Sequence, residues 1–403
     1  MLATGYNEQL PAVAKEWRAL VAETEATSMF KTRASFYVLE LAKCAAILVA
    51  SIALVCRNRN AETASTMAVV GAGALLGAFW QQVAFVGHDV GHNSVRGIRS
   101  KSNYHLGIVV GNILTGVSIG WWKSTHNVHH VVCNSATHDP DIQHLPLLCV
   151  SEKIFNVFSK VCARASQPRG RLRSPLRSHA LACSHMRASA DKRSPSQYHN
   201  RTFALDRFAR LAVMAQFFTY YPVMCIARFN LYAQGLVRLI KERKSMTRYQ
   251  EFTEWLGIAL FVSWYAGVVS LLPTAGLRAT YALVATACCA LLHDQIALSH
   301  WSRPIFSGKP THFSGWFEHQ LSGTLNITCP TWMDWVHGGL QFQIEHHLFP
   351  RLPRHNLRMV KPLVEKFARR HGVQYHDIGF VAANKEVLQA MWDTGLAAKA
   401  YKH

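Results

Sequence analysis

Residues 67–92 read MAVVGAGALLGAFWQQVAFVGHDVGH, an apolar run, uncharged through Gly87, that ends in two histidines four positions apart, His88 and His92. About 20 apolar residues are what a helix needs to cross a hydrocarbon core of roughly 30 Å. On a helix, positions i and i+4 share a face. The stretch therefore predicts a membrane-spanning helix that delivers two imidazoles together to one membrane surface.

Working outward, comparable runs lie at 36–56, 255–272 and 281–298. Two more, 106–122 and 211–227, are shorter and interrupted, the first by Asn112, Thr115 and Ser118, the second by Pro222 and two tyrosines. The composition agrees: of 403 residues half are hydrophobic and only 16% are charged, the reverse of a disordered chain. Ten cysteines without a CxxC exclude a disulfide framework and a zinc ribbon. Residues 1–35 carry Glu8, Glu16, Glu23 and Glu25 and no apolar core, so neither a signal peptide nor a transit peptide is expected.

Two further histidine clusters follow, His126-Asn-Val-His129-His130 and Gln343-Ile-Glu-His346-His347. If all three serve one site, the chain must return to the same face each time. Two hairpins, 36–87 and 255–298, achieve this when the two short runs are re-entrant or interfacial. The expected fold is thus an all-α integral membrane protein: about four transmembrane helices in two hairpins, interfacial helices, and a histidine-bearing cap. Within it, 1–35 reads as a polar N-terminal segment, 36–380 as the membrane domain and 381–403 as a tail. After Ser299 there are 12 Lys and Arg against 7 Asp and Glu, which puts the cap in the cytoplasm. Trp121, Trp122, Trp255 and Trp264 read as interface anchors.

Neutral imidazole suits iron, copper, zinc and nickel, and the three clusters hold more donors than one first-row ion accepts. Two metal ions are the economical reading. No HExxH occurs, which argues against a zinc hydrolase. A transporter would place ionisable residues inside its spans, whereas these hold only Glu40 and Lys43 near one start and His293 and Asp294 near one end.

HDVGH, HNVHH and QIEHH resemble the three boxes of membrane-bound fatty-acyl desaturases, and Gln343 opening the third box resembles the front-end group. WWKSTHNVHHVVCNSATHDPDIQHLPLL (121–148), TYYPVMCIARFNLYAQ (219–234) and TCPTWMDWVHGGLQFQIEHHLFPRLPRHNLR (328–358) are similar to plant-type sphingolipid Δ8 and acyl-lipid Δ6 desaturases. The resemblance implies that His88, His92, His126, His129, His130, His346 and His347 ligate two iron ions, with Gln343 taking part in the third box. It implies a further ligand after the last span, where His300 stands. His105, His138, His144, His293 and His337 are expected not to ligate. Asp89, Asp139 and Asp141 are candidates to accept the other N–H of a ligating imidazole, or else are turn residues around Pro140. The implied reaction consumes O2 and two external electrons and leaves a double bond in an acyl lipid or sphingoid long-chain base, in the endoplasmic reticulum membrane. A hydroxylase of the same superfamily is the alternative.

Two features depart from that pattern. Eukaryotic relatives commonly carry a cytochrome b5 domain with a haem-binding HPGG, but residues 1–35 contain no histidine. A separate cytochrome b5, or ferredoxin, is the expected electron donor. Secondly, residues 161–197 hold seven Arg, one Lys and one Asp without apolar periodicity. A retained intron is the favoured reading, because Val-Cys and Gln at its ends match splice-site codons. A basic lipid-surface loop is the alternative, and no nucleic-acid partner is expected.

Overall fold

The computed structural model describes residues 12–97, 100–155, 193–196, 198, 201–307 and 315–401. Of the basic stretch 161–197, all but 193–196 lies outside the described residues.

The described chain is mainly helical, with helices α1 (Ala12–Ala26), α2 (Ala34–Arg57), α3 (Thr66–Gly91), α4 (Ser102–Gly107) and α5 (Ile119–Val132), then α6 (Arg207–Lys241), α7 (Arg248–Ser270), α8 (Ala275–Cys288) and α9 (Ala290–Leu298). The C-terminal part adds α10 (Trp316–Gly323), α11 (Gln343–Leu348), α12 (Leu357–Arg370) and α13 (Phe380–Ala400). Two small sheets are present: antiparallel 193–196 with 201–204, and parallel 326–328 with 377–379.

Among the described residues five helices are long and apolar enough to cross a membrane: Ser28–Arg57, Thr66–Gly91, Arg207–Lys241, Arg248–Ser270 and Ala275–Leu298. Four such helices were expected, and α6 is the addition. The short run at 211–227 continues through Arg228 into a helix of 35 residues, with Pro222 inside it. The run at 106–122 does break: α4 passes into a π-helix at 108–113, Gly116 turns with φ +73°, and Ser118 caps α5 by accepting from the Trp121 amide. The span interiors are also less bare than the hydropathy suggested. Arg228 and Glu254 are both buried.

Small residues let the helices close up. A methyl on Gly73 would sit 2.9 Å from the Tyr281 carbonyl, and one on Gly77 would sit 2.6 Å from Cys288 Cβ. This glycine-xxx-glycine face is how α3 packs against α8 where lipid and side chain are equally apolar. Gly91 plays the same part at the other end of α3, where a methyl would run into the Trp122 ring. Its absence of a side chain lets α5 lie across the end of α3, beside His88 and His92.

The segment before α2 and the segment after α12 are both helical and packed. Trp17 on α1 packs, tilted or edge-on, against Phe317, Phe349 and Phe367. On the other side α13 lies along α6, where Gln216 donates to the carbonyls of Cys149 and Met391.

Candidate metal centre

Four separate segments converge on one buried space. His88 and His92 end α3; His126, His129 and His130 line one face of α5; His300 follows α9; and Gln343, His346 and His347 lie on α11. The donor atoms sort into two groups. His88, His92, His126 and His346 form the first, and His129, Cys133, His300 and His347 the second, all within 4.8 Å of one another inside each group. His130 stands between them, its ring 4.6 Å from His126, 4.7 Å from His346 and 4.2 Å from His347.

Outer hydrogen bonds decide which ring nitrogen faces inward. His129 Nδ1 meets Asp139 at 2.9 Å, His300 Nδ1 meets the Gly323 carbonyl at 3.0 Å, and His347 Nδ1 meets Gln320 Oε1 at 2.8 Å. His126 Nδ1 meets Asp141 at 3.3 Å. Each contact commits Nδ1 to donation and leaves Nε2 as a lone pair toward the interior. Asp89 is held differently. It lies 3.9 Å from His88 Nδ1, while Tyr37 and Arg354 each donate to its Oδ2 at 2.9 Å. Gln343 Nε2 lies 3.0 Å from His300 Nε2, and its Oε1 has no partner.

Burial pushes the imidazoles of His92, His130, His300, His346 and His347 well below their usual pKa, and neighbouring histidines add to this. His126 falls to about 4, mainly through burial against the opposing pull of Asp141. His129 is the exception: burial lowers it, but the carboxylates of Asp139 and Asp141 outweigh that and raise it to about 9.

A cluster of buried imidazoles has no packing value of its own, since an orphaned polar atom costs on the order of 1–3 kcal/mol. Yet His88 Nε2, His92 Nε2, His130 Nδ1, His346 Nε2 and His347 Nε2 are all buried without a partner. These orphaned nitrogens fit a pair of metal ions, one per group, with His130 within reach of both. The five histidines expected not to ligate each have another partner: Tyr249 for His105, Thr137 for His138, the Asp141 carbonyl for His144, the Met224 carbonyl for His293 and Gln295 for His337.

Several residues that shape the site carry no motif signal. Gln320 spans α5 and α11 by donating to the His130 carbonyl while accepting from His347. Buried Glu345 is fixed by Asn326 at 2.7 Å and Tyr375 at 2.6 Å, and Asn326 Oδ1 accepts from the Ile344 amide. Arg354 reaches Asp89 at 2.9 Å and Glu40 at 3.0 Å, tying the loop after α11 to both α2 and α3. Glu254 takes the Ser118 hydroxyl and pairs with Arg238 at 3.4 Å, which anchors the start of α5. Only Glu345, inside the third cluster, stands out by position in the sequence.

A family model described as fatty acid desaturase matches residues 64–182 and 179–379. The Delta(8)-fatty-acid desaturase of Helianthus annuus is 35% identical over 401 residues, covering 99% of this chain and 78% of the relative. The acyl-lipid (9-3)-desaturase of Borago officinalis is also 35% identical, over 98% of this chain and 79% of its own length. The Delta 8-(E)-sphingolipid desaturase of Komagataella phaffii is 36% identical over 79% of this chain and 52% of its own.

Proposed function

Because the chain belongs to the fatty acid desaturase family, it is an oxidoreductase, and we propose that it is a front-end lipid desaturase working through two iron ions. The observation that carries the metal count is the sorting of the donors into two buried groups. His88, His92, His126 and His346 would hold one ion; His129, His300 and His347 the other, with His130 between them and Gln343 beside His300. Asp139 and Asp141 would orient His129 and His126.

An iron pair supplies, with O2, the oxidising power that an unactivated methylene demands and that no side chain possesses. Everything else falls to the protein. Burial keeps imidazoles such as His92 and His346 neutral and available as donors, while His129, held high by Asp139 and Asp141, would give up a proton to bind. The hydrogen bonds from Nδ1 hold each ring at one angle, and the packed helices exclude water from the site. Each turnover removes two hydrogens from adjacent carbons of the lipid chain. Two electrons from an external donor, cytochrome b5 or ferredoxin, and two protons taken up from the aqueous phase complete the reduction of O2 to two waters. The substrate is a fatty acyl or sphingoid chain, and the double bond formed is cis or trans. The basic balance after Ser299 supports a cytoplasmic cap on the endoplasmic reticulum membrane.

Expression of the full chain in yeast, with mass spectrometry of fatty acids and long-chain bases, tests this. A new double bond that disappears with His346→Ala is the expected result. A hydroxylated product, or the same product from His346→Ala, would sink the reading.

A further inference from the structure

The helix that starts at Ser102 is broken before α5 begins. It passes into the π-helix at 108–113, Gly116 turns with φ +73°, and Ser118 caps α5. Irregular backbone at membrane depth persists only where the surrounding protein satisfies its polar groups. Here α6 and α7 do so. Trp264 Nε1 donates to the Ile113 carbonyl at 2.7 Å, and Arg228 Nη2 donates to the Thr115 carbonyl at 2.6 Å. Arg228 is 2% exposed, and among the described residues no carboxylate pairs with it. Its guanidinium lies 4.0 Å from the centre of the Trp80 ring, Nε donates to the Tyr232 hydroxyl at 2.6 Å, and Nη1 meets Cys289 Sγ at 3.5 Å.

A charge inside an apolar helix of a membrane protein is expensive and marks a functional position. This one is fixed by neutral groups and aimed at the end of a broken helix, where carbonyl dipoles attract a cation. Three residues further on, Ser118 caps α5 by accepting from the Trp121 amide. That helix delivers His126 to the first donor group, His129 to the second and His130 between them. From Ser118 to His130 is about 18 Å of helix. A metal site needs its ligands held within roughly 0.5 Å of the binding geometry. A shift of the turn at Thr115 is carried along α5 and reaches both groups at once.

We propose that Arg228 is a positioning residue for the metal centre: by holding the Thr115 carbonyl it sets the start of α5, and with it the ligands of both groups, a role that rests on the two-ion reading above. The test measures ferrous iron binding and the melting temperature of the metal-free full chain, purified in detergent. Replacing a buried charge by an apolar side chain of similar size is often neutral or stabilising. Arg228→Met should therefore melt near wild type, yet bind iron about tenfold more weakly, the lower end for a lost orienting contact. The loss should appear both in His347→Ala, which leaves the first group, and in His346→Ala, which leaves the second. Arg228→Lys keeps a cation and a donor for the carbonyl and should recover most of the affinity. Gly116→Ala disturbs the same turn independently, through its positive φ and the Phe261 ring 2.5 Å from the added methyl. The Arg228→Met, Gly116→Ala double variant should bind no more weakly than the weaker single, because both act on one turn. Tyr281→Phe, which removes a buried hydrogen bond to Ser51 at 3.1 Å away from the turn, should leave iron affinity unchanged. Wild-type affinity in Arg228→Met, a loss confined to one group, or an equal loss in Tyr281→Phe would overturn the assignment. If Gly116→Ala does not fold, the two Arg228 variants decide alone. Wild type that binds fewer than two irons would remove the two-ion reading and this role with it; two irons in wild type with unchanged variants would remove this role alone.

Discussion

The two histidine groups are placed by different means. In the second, three imidazoles are gripped at their own outer nitrogens, by Asp139, the Gly323 carbonyl and Gln320, at 2.8–3.0 Å. In the first, the single such contact described is the longer one from His126 to Asp141. Its positions depend instead on what holds the backbone: Arg354 bridging Asp89 and Glu40, and Gly91 admitting Trp122 against the end of α3. One group is oriented ring by ring and the other by docking helices. Damage to the two should therefore look different.

The largest effect expected is from removing one ligand of either group. His346→Ala and His347→Ala should both abolish product if, as proposed, the chemistry needs an ion in each group. They should differ in what remains bound. Elemental analysis of the purified variants should show each losing its own ion while the other group keeps part of its metal. The second group, with its rings already fixed, should retain metal better in His346→Ala than the first group does in His347→Ala. The reverse order would break the comparison.

Next comes Arg354→Ala. It leaves the buried carboxylate of Asp89 with only the Tyr37 hydroxyl, while half-buried Glu40 keeps Lys43, and removing one partner of a buried ion pair typically costs about 3–5 kcal/mol. The expected readout is a lower melting temperature of the metal-free protein, together with weaker metal binding in the first group. Asp139→Asn should act the other way round. The amide keeps the shape but offers one acceptor oxygen where the carboxylate offers two, so it can serve only one of the Asn134 and Asp141 amides, which bond separate oxygens, and is a poorer acceptor for His129 Nδ1–H; the melting shift should still be smaller than that of Arg354→Ala. Loss of such an orienting partner typically costs about 10–100-fold in affinity or activity. A large melting shift in Asp139→Asn before metal is added would count against ring-by-ring orientation.

Much of this was legible in the chain. Apolar length and the spacing of histidines point to membrane helices and to a shared metal site, since both depend on short-range periodicity. The carboxylates near Pro140 could be singled out because they lie within 15 residues of the rings they meet. Gln320, Asn326, Tyr375, Arg354 and Glu254 could not be. Each acts across long separations in sequence, and nothing local distinguishes a glutamine that will grip His347 from one that will face solvent. The fifth long helix was missed for a related reason. Arg228 breaks the hydropathy of α6, yet in the fold its guanidinium stacks 4.0 Å from the Trp80 ring and donates to the Thr115 carbonyl at 2.6 Å, so a charge that ended the apolar run does not end the helix.

The smallest effect separates Asp141 from its neighbour. Asp141 touches the site through its carboxylate, on His126 at 3.3 Å and more distantly on His129 at 3.8 Å, and through its carbonyl on His144 Nε2 at 2.8 Å. Only the carboxylate leads to candidate ligands. Asp141→Asn should therefore cost product a few-fold, less than Asp139→Asn, because the contact is longer and the side chain is 31% exposed, where water can replace it. His144→Gln keeps a donor for the carbonyl and stands in neither donor group, so product should stay within about twofold, the scale of a surface change. If His144→Gln fell as far as Asp141→Asn, the orientation of His126 would have to run through the backbone of the turn. The first group would then be positioned entirely by its frame, and its contrast with the second would be sharper still.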